Sequence, residues 1–182
     1  MRDTTELRTK RRARLVATAQ EVFIAQGFRG ATMEGIADAA SISKATLYSY
    51  FPDKPAIFDA VAENVARDLT EIVAAELKGT DDPVDAVIAA VTAKHMFTYS
   101  LVRTSNFAQE LFQTKDAVSA HHFERMNSSI CESLARRLSE VRHDSQECAE
   151  LLMAASQGIA NAARSKDQLR GRIAKLRLLL DT

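Results

Sequence analysis

Only six glycines and three prolines punctuate 182 residues. Between them apolar side chains recur at spacings of three and four, the period of a helix face and not of a strand. That pattern leaves little room for a sheet and predicts an all-α chain of about nine helices. Leu15, Ala19, Val22, Phe23 and Gln26 share one face that stops at Gly27, a natural left-handed terminator, so the first helix is expected over 10–26. Thr32 can cap a short second helix containing Met33, Ile36 and Ala37, although Gly35 stands where a capping box wants Glu. Ser41-Ile42-Ser43 breaks the pattern. Ser43 can cap a third helix beginning at Lys44, and Pro52 forbids its continuation past Phe51. Pro55 suits the first turn of a long fourth helix, in which Ile57, Val61, Val65, Leu69, Val73 and Leu77 repeat every four residues until Gly79. The stretch GTDDP, residues 79–83, is the best junction. Further helices are expected over 83–99, 103–113, 116–141, 144–164 and 167–180.

Composition bounds the function classes. Lys+Arg and Asp+Glu both number 24, so the total charge advertises neither a nucleic-acid binder nor an acidic substrate. The charge is nevertheless polarised: residues 8–54 carry eight basic side chains against four acidic ones, a local net of plus four, while 55–182 carry 15 against 18. Cys131 and Cys148 have no CxxC or metal-ligand spacing and read as small apolar residues in a reduced environment. No apolar signal core opens the chain, and no run approaches the ~20 apolar residues of a membrane span. A soluble cytoplasmic protein without cofactor is expected.

The positive segment holds two short helices joined by a three-residue turn behind a longer helix and a basic arm, Arg8 to Arg14, the size and order of a helix-turn-helix. Within it, SKATLYSYFPDK crowds Tyr48, Tyr50 and Phe51 together in a chain with only 6% aromatics. A recognition helix presents small or hydrogen-bonding side chains at its first turn, here Lys44, Ala45 and Thr46, and grips phosphate on its flanks, for which Tyr48 and Tyr50 carry hydroxyls on rigid rings. Leu47 and Phe51 turn inward. The first amides of the fourth helix, near Lys54, can also take a phosphate at the positive end of its dipole.

These residues resemble the TetR family of bacterial transcriptional regulators, whose N-terminal signature is matched by Phe23, Gly27, Thr32, Ile36, Ala37, Ala40, Ser43, Thr46, Leu47, Tyr48, Tyr50, Phe51 and Lys54. The resemblance covers roughly residues 10–60 and departs at Ser41, where the family carries Gly, and at Gly35 and Pro55, where it carries an acidic residue. It implies a helix-turn-helix domain over 1–54 and a helical ligand-binding and dimerisation domain over 55–182, with the fourth helix (54–78) as linker. The DNA contacts expected are Arg14, Thr32, Ser43, Lys44, Ala45, Thr46, Tyr48, Tyr50 and Lys54, and the partner is a double-stranded operator.

The rest of the chain carries coarser signals. His95, Met96, Phe97, Phe107, Phe112, Phe123 and Met126 either fill the core or line a cavity for a small apolar or aromatic ligand, and His95 reads as a satisfied core histidine sooner than as a ligand contact. Leu169, Ile173, Leu176 and Leu180 form a packing stripe. With Leu151, Leu152, Ala155 and Ile159 of the preceding helix, the resemblance makes them a homodimer interface; the bland alternative is packing within one chain. A basic-amphipathic membrane contact by the last helix ranks below both. His121 and His122, adjacent on a helix, are expected to point in different directions, which argues against a metal site. No phosphate loop, GxSxG, HExxH or paired carboxylates beside a histidine marks an enzyme. The expected function is a ligand-released repressor that binds a pseudo-palindrome as a homodimer; the rivals are a small all-α enzyme and an interaction module that no longer touches DNA.

Overall fold

The computed structural model describes residues 2–104 and 119–180. Among the described residues the chain holds eight α-helices, one 3-10 segment and no strand: α1 (Arg2–Gly30), α2 (Met33–Ala39), α3 (Lys44–Tyr48), α4 (Lys54–Glu76), α5 (Pro83–Thr104), α6 (Ala120–Leu138), α7 (Ser145–Ala162) and α8 (Lys166–Ala174), followed by 3-10 residues Lys175–Leu179. The expected helix 103–113 lies almost wholly outside the described residues. The chain divides into two compact units, residues 1–65 with 102–123, and residues 66–101 with 124–182.

In the first unit the helix ends are set by local chemistry. Thr32 Oγ1 accepts the Gly35 N–H at 3.0 Å and Ser43 Oγ accepts the Thr46 N–H at 3.1 Å, each satisfying an orphan donor of a helix first turn. A Cβ on Gly35 would meet Thr32 Oγ1 at 3.3 Å, so the glycine leaves room for this cap. Gly27 takes φ 72°, the left-handed value that glycine adopts without penalty, and the chain makes one more helical turn to Gly30. At its other end α1 runs back to Arg2 instead of starting near residue 10, and Glu6 and Lys10 pair across one turn of that extension at 2.7 Å. Leu15, Ala19, Phe23, Ile36, Leu47, Phe51, Ile57 and Val61 are buried. Phe23, Phe28 and Phe58 form an aromatic triangle with centroids 4.7–5.9 Å apart.

The second unit buries Leu69 and Val73 of α4, Val87 and Val91 of α5, Ile130, Leu134 and Leu138 of α6, Leu152 of α7, and Leu169 and Ile173 of α8. Asp82 accepts the Asp85 N–H at 2.8 Å behind Pro83, which starts α5. The Arg137 guanidinium holds the preceding loop by donating to the Thr80 and Asp81 carbonyls at 2.8 and 2.7 Å. Ser165 Oγ caps Gln168, whose side chain accepts the Arg164 N–H, a reciprocal start for α8.

The stripe on the last helix is intrachain core. Leu169 and Ile173 are wholly buried, and Leu176, Leu180 and Leu152 nearly so, in the single chain. They have no surface left for a second subunit, which corrects their expected place in a dimer interface. Ile173→Asp therefore sets an unpaired carboxylate in the chain's own core, at a cost of about 3–5 kcal/mol. We expect a large fall in the urea midpoint by circular dichroism, not a folded monomer.

Candidate nucleic-acid interface

Helix α3 is a five-residue helix whose inward side is Leu47 alone, fully buried. Lys44, Ala45 and Tyr48 are exposed along its outer side, with Thr46 half-buried. Tyr48 keeps 48% of its surface. The Ser43 and Thr46 hydroxyls lie 2.8 Å apart, so the start of α3 presents a bonded pair of hydroxyls beside the Lys44 ammonium. That ammonium meets Glu34 Oε2 at 2.9 Å, and the carboxylate raises the Lys44 pKa. With both partners exposed this is a weak, solvent-screened pair that a phosphate or base edge can displace.

Tyr50 is half-buried because α1 covers it: the Arg8 guanidinium lies 5.6 Å from its ring centroid, and Arg12, one turn on, lies 5.1 Å from that of Phe51. The basic arm is thus helical and its stems pack on the aromatic run. Arg14 falls elsewhere, in a groove of about 810 Å³ with Lys10, Arg11, Ser41 and Ile42.

Two expectations are corrected. Lys54 Nζ donates to the Phe28 and Ala31 carbonyls at 2.7 and 2.9 Å and sits 4.6 Å from the Phe28 ring centroid, so its charge is spent closing the end of α1. The start of α4 is also unsuited to phosphate, since Pro55 has no N–H and the Ala56 N–H donates to Asp53 Oδ1 at 2.8 Å. Thr32 uses an acceptor lone pair on the cap of α2 and keeps its O–H to donate.

The turn between α2 and α3 explains the departure at Ser41. Its φ is 54°, and it is the non-glycine residue with positive φ among those described. Ser41→Gly should relieve that conformation and stabilise the fold by about 0.5–1 kcal/mol, measured by thermal melting; an unchanged or lower Tm would remove the strain from the account.

In the second unit the expected ligand residues divide. His95 is 1% exposed and its Nε2 lies 2.9 Å from Ser156 Oγ. That hydroxyl gives its own proton to the Met153 carbonyl, so His95 Nε2–H must be the donor. Burial, then neighbouring Lys94, lower its pKa to about 3. The satisfied core histidine is the reading the geometry supports. Met96 and Phe97 are half-buried and Met126 is buried; Phe123 belongs to the first unit, and Phe107 and Phe112 lie outside the described residues. Sequence reasoning passed over Lys94. It is 5% exposed, and burial lowers its pKa to about 8. Its place within a buried turn beside Val91 and His95 was the available signal.

Both shifts have the same sign. The unfolded chain binds the His95 proton below 6.5 and the folded chain only near 3, so stability falls as pH drops through that window. For Lys94 the cost is fully present below about 8 and is relieved as pH rises toward 10.5. Lys94→Met should stabilise the protein at pH 7 by up to about 3 kcal/mol and abolish this alkaline rise; a pH series of urea melts reads both.

Residues 15–61 match the family model described as bacterial regulatory proteins, tetR family. The N-terminal segment is thus of the TetR type. It is 37% identical over 86 residues to the HTH-type transcriptional activator FasR of Mycolicibacterium smegmatis, a match covering 47% of this chain and 39% of that protein. Against the HTH-type transcriptional regulator BetI of Paraburkholderia phytofirmans it is 29% identical, over 72% of this chain and 71% of that one. The chain thus matches well under half the length of FasR. A crystal structure of a transcriptional regulator from Cytophaga hutchinsonii superposes with a TM-score of 0.75 at 22% identity, covering 91% of this chain and 94% of that one, which establishes the shared fold.

Proposed function

We propose that this chain is a sequence-specific DNA-binding transcriptional regulator of the TetR type that works as a homodimer and is released from its operator by a small ligand. The observation that carries it is α3 itself: Lys44, Ala45 and Tyr48 stand outward on a helix anchored by Leu47 and Phe51, in the basic part of the chain. Residues 1–54 form the reading head and 55–182 the ligand and dimer domain. Lys44, Ala45 and the hydroxyls of Ser43 and Thr46 address base edges, while Tyr48, Tyr50 and the basic arm address phosphate. Two such heads read half-sites ~34–36 Å apart in a pseudo-palindrome. Selection from a genomic fragment pool at several salt concentrations tests this reading; binding that never becomes sequence-selective would favour an interaction module. Tyr48→Phe should weaken all sequences alike, with the order of preferred sites unchanged.

For the dimer, exposed apolar residues on α7 support the surface that the buried stripe of α8 does not. Leu151 is 63% exposed, and Ala155 and Ile159 follow it at spacings of four. Leu151→Arg is expected to leave the fold intact, shift sedimentation to the monomer, and lower operator affinity at least tenfold. A variant that stayed dimeric would move the interface.

The buried ammonium of Lys94 favours a ligand with an anionic group on an apolar body, since His95 is already engaged. Such a ligand must prefer the DNA-free state, and operator must weaken its binding by the same factor.

A further inference from the structure

Asp59 on α4 and His121 and His122 in the first turn of α6 bring one ligand atom each to within 4.8 Å of one another. All three residues belong to the first compact unit. The two imidazoles do not diverge as neighbours on a helix were expected to: their ring centroids are 3.9 Å apart. His122 Nε2 lies 3.1 Å from Asp59 Oδ1. Two donors on one tetrahedral ion with bonds of 2.0–2.1 Å stand roughly 3.3 Å apart, so this pair is already close to a ligand spacing. His121 is exposed, and a rotamer change of a solvent-facing ring brings its nitrogen the remaining distance without moving backbone.

We propose that Asp59, His121 and His122 form a binding site for a divalent first-row metal ion of the zinc type. Two imidazoles and one carboxylate are the donor set of such ions, and hard cations such as Mg²⁺ would require more oxygen ligands than one carboxylate supplies. Three protein ligands leave a fourth position open to water or an exogenous donor, so the site is an exchangeable one and not a closed structural centre. The positive end of the α6 dipole opposes a cation weakly. The Asp59 carboxylate offsets that term, and three coordinate bonds outweigh it. The bound ion would tie the start of α6 to α4 one residue beyond Phe58 of the aromatic triangle, within the unit that carries α3. The competing account is a plain hydrogen bond between His122 and Asp59 with His121 stacked beside it. This inference goes beyond the DNA-binding reading and does not depend on it.

The test uses the tag-free full chain, stripped of metal, titrated with Zn²⁺ at pH 7.5 by calorimetry, and with Co²⁺ as a spectroscopic probe of coordination. The expected result is one ion per chain, a Co²⁺ spectrum of low coordination number, and a Tm that rises with Zn²⁺. His121→Ala and Asp59→Asn should each weaken Zn²⁺ at least tenfold. His143→Ala, on an exposed histidine that is not one of the three, should bind as the parent does. Metal-free melting curves establish that each variant is folded. His121→Ala is a substitution at an exposed position, and its metal-free melting curve separates the loss of a ligand from a loss of the fold. No binding by the parent chain overturns the proposal, as does binding that His121→Ala and Asp59→Asn leave unchanged or that His143→Ala abolishes.

Discussion

The helix-turn-helix segment depends on one partly buried cation. Lys54 begins α4, and its ammonium reaches back 23 and 26 residues to the carbonyls of Ala31 and Phe28. Both short helices and their turn lie between, so this ammonium, with the Phe28–Phe58 ring contact, draws the two ends of that segment together. The pin works because Gly27 bends α1 before its end, which leaves those carbonyls without a continuing helix to use them. The Phe28 ring completes the ammonium's surroundings and is itself packed on Phe23 and Phe58. A charge-assisted bond to each carbonyl and an aromatic face together repay the desolvation of a half-buried lysine, whereas a phosphate would have to compete with all three.

This arrangement frees α3 from making its own stability. Five residues cannot sustain a helix in water, and α3 persists because Ser43 caps its start and Leu47 and Phe51 bury its inner side. Its outward residues are then unconstrained by packing. The same economy explains why the turn tolerates Ser41 at φ 54°: caps and core on either side fix the backbone there, and the local cost of about 1 kcal/mol is small beside them.

Much of this segment was legible in the sequence because its determinants are local. Thr32 and Ser43 as caps, Gly27 as the bend and Leu47 and Phe51 as the inward pair all follow from residue type and spacing, and each appears in the structure. The part that was not legible concerns partners distant in sequence. Nothing in the spacing around Lys54 says that its ammonium turns to residues 28 and 31 and not outward to phosphate. The stripe Leu169, Ile173, Leu176 and Leu180 has the same periodicity whether it faces its own chain or another, and only burial in the single chain distinguishes the two. The adjacent histidines illustrate the same limit. A separation of one residue predicts divergence along a regular helix, but at the first turn of α6 the rings lie 3.9 Å apart.

The polar residues buried in the second unit follow a different logic from the pin at Lys54. His95 is compensated, since Ser156 takes its proton and passes its own to a carbonyl, and a neutral imidazole so arranged costs the core little. Lys94, adjacent in sequence, is penalised by its burial. A leucine or methionine there would be more stable, so the lysine is not explained by packing. A desolvated ammonium raises the free energy of the empty state, and an anion that reaches it recovers part of that energy on binding. The gain on binding is then largest where the unliganded protein is least comfortable, which is the condition under which a small ligand can shift an equilibrium between two states of the protein by a kilocalorie or more.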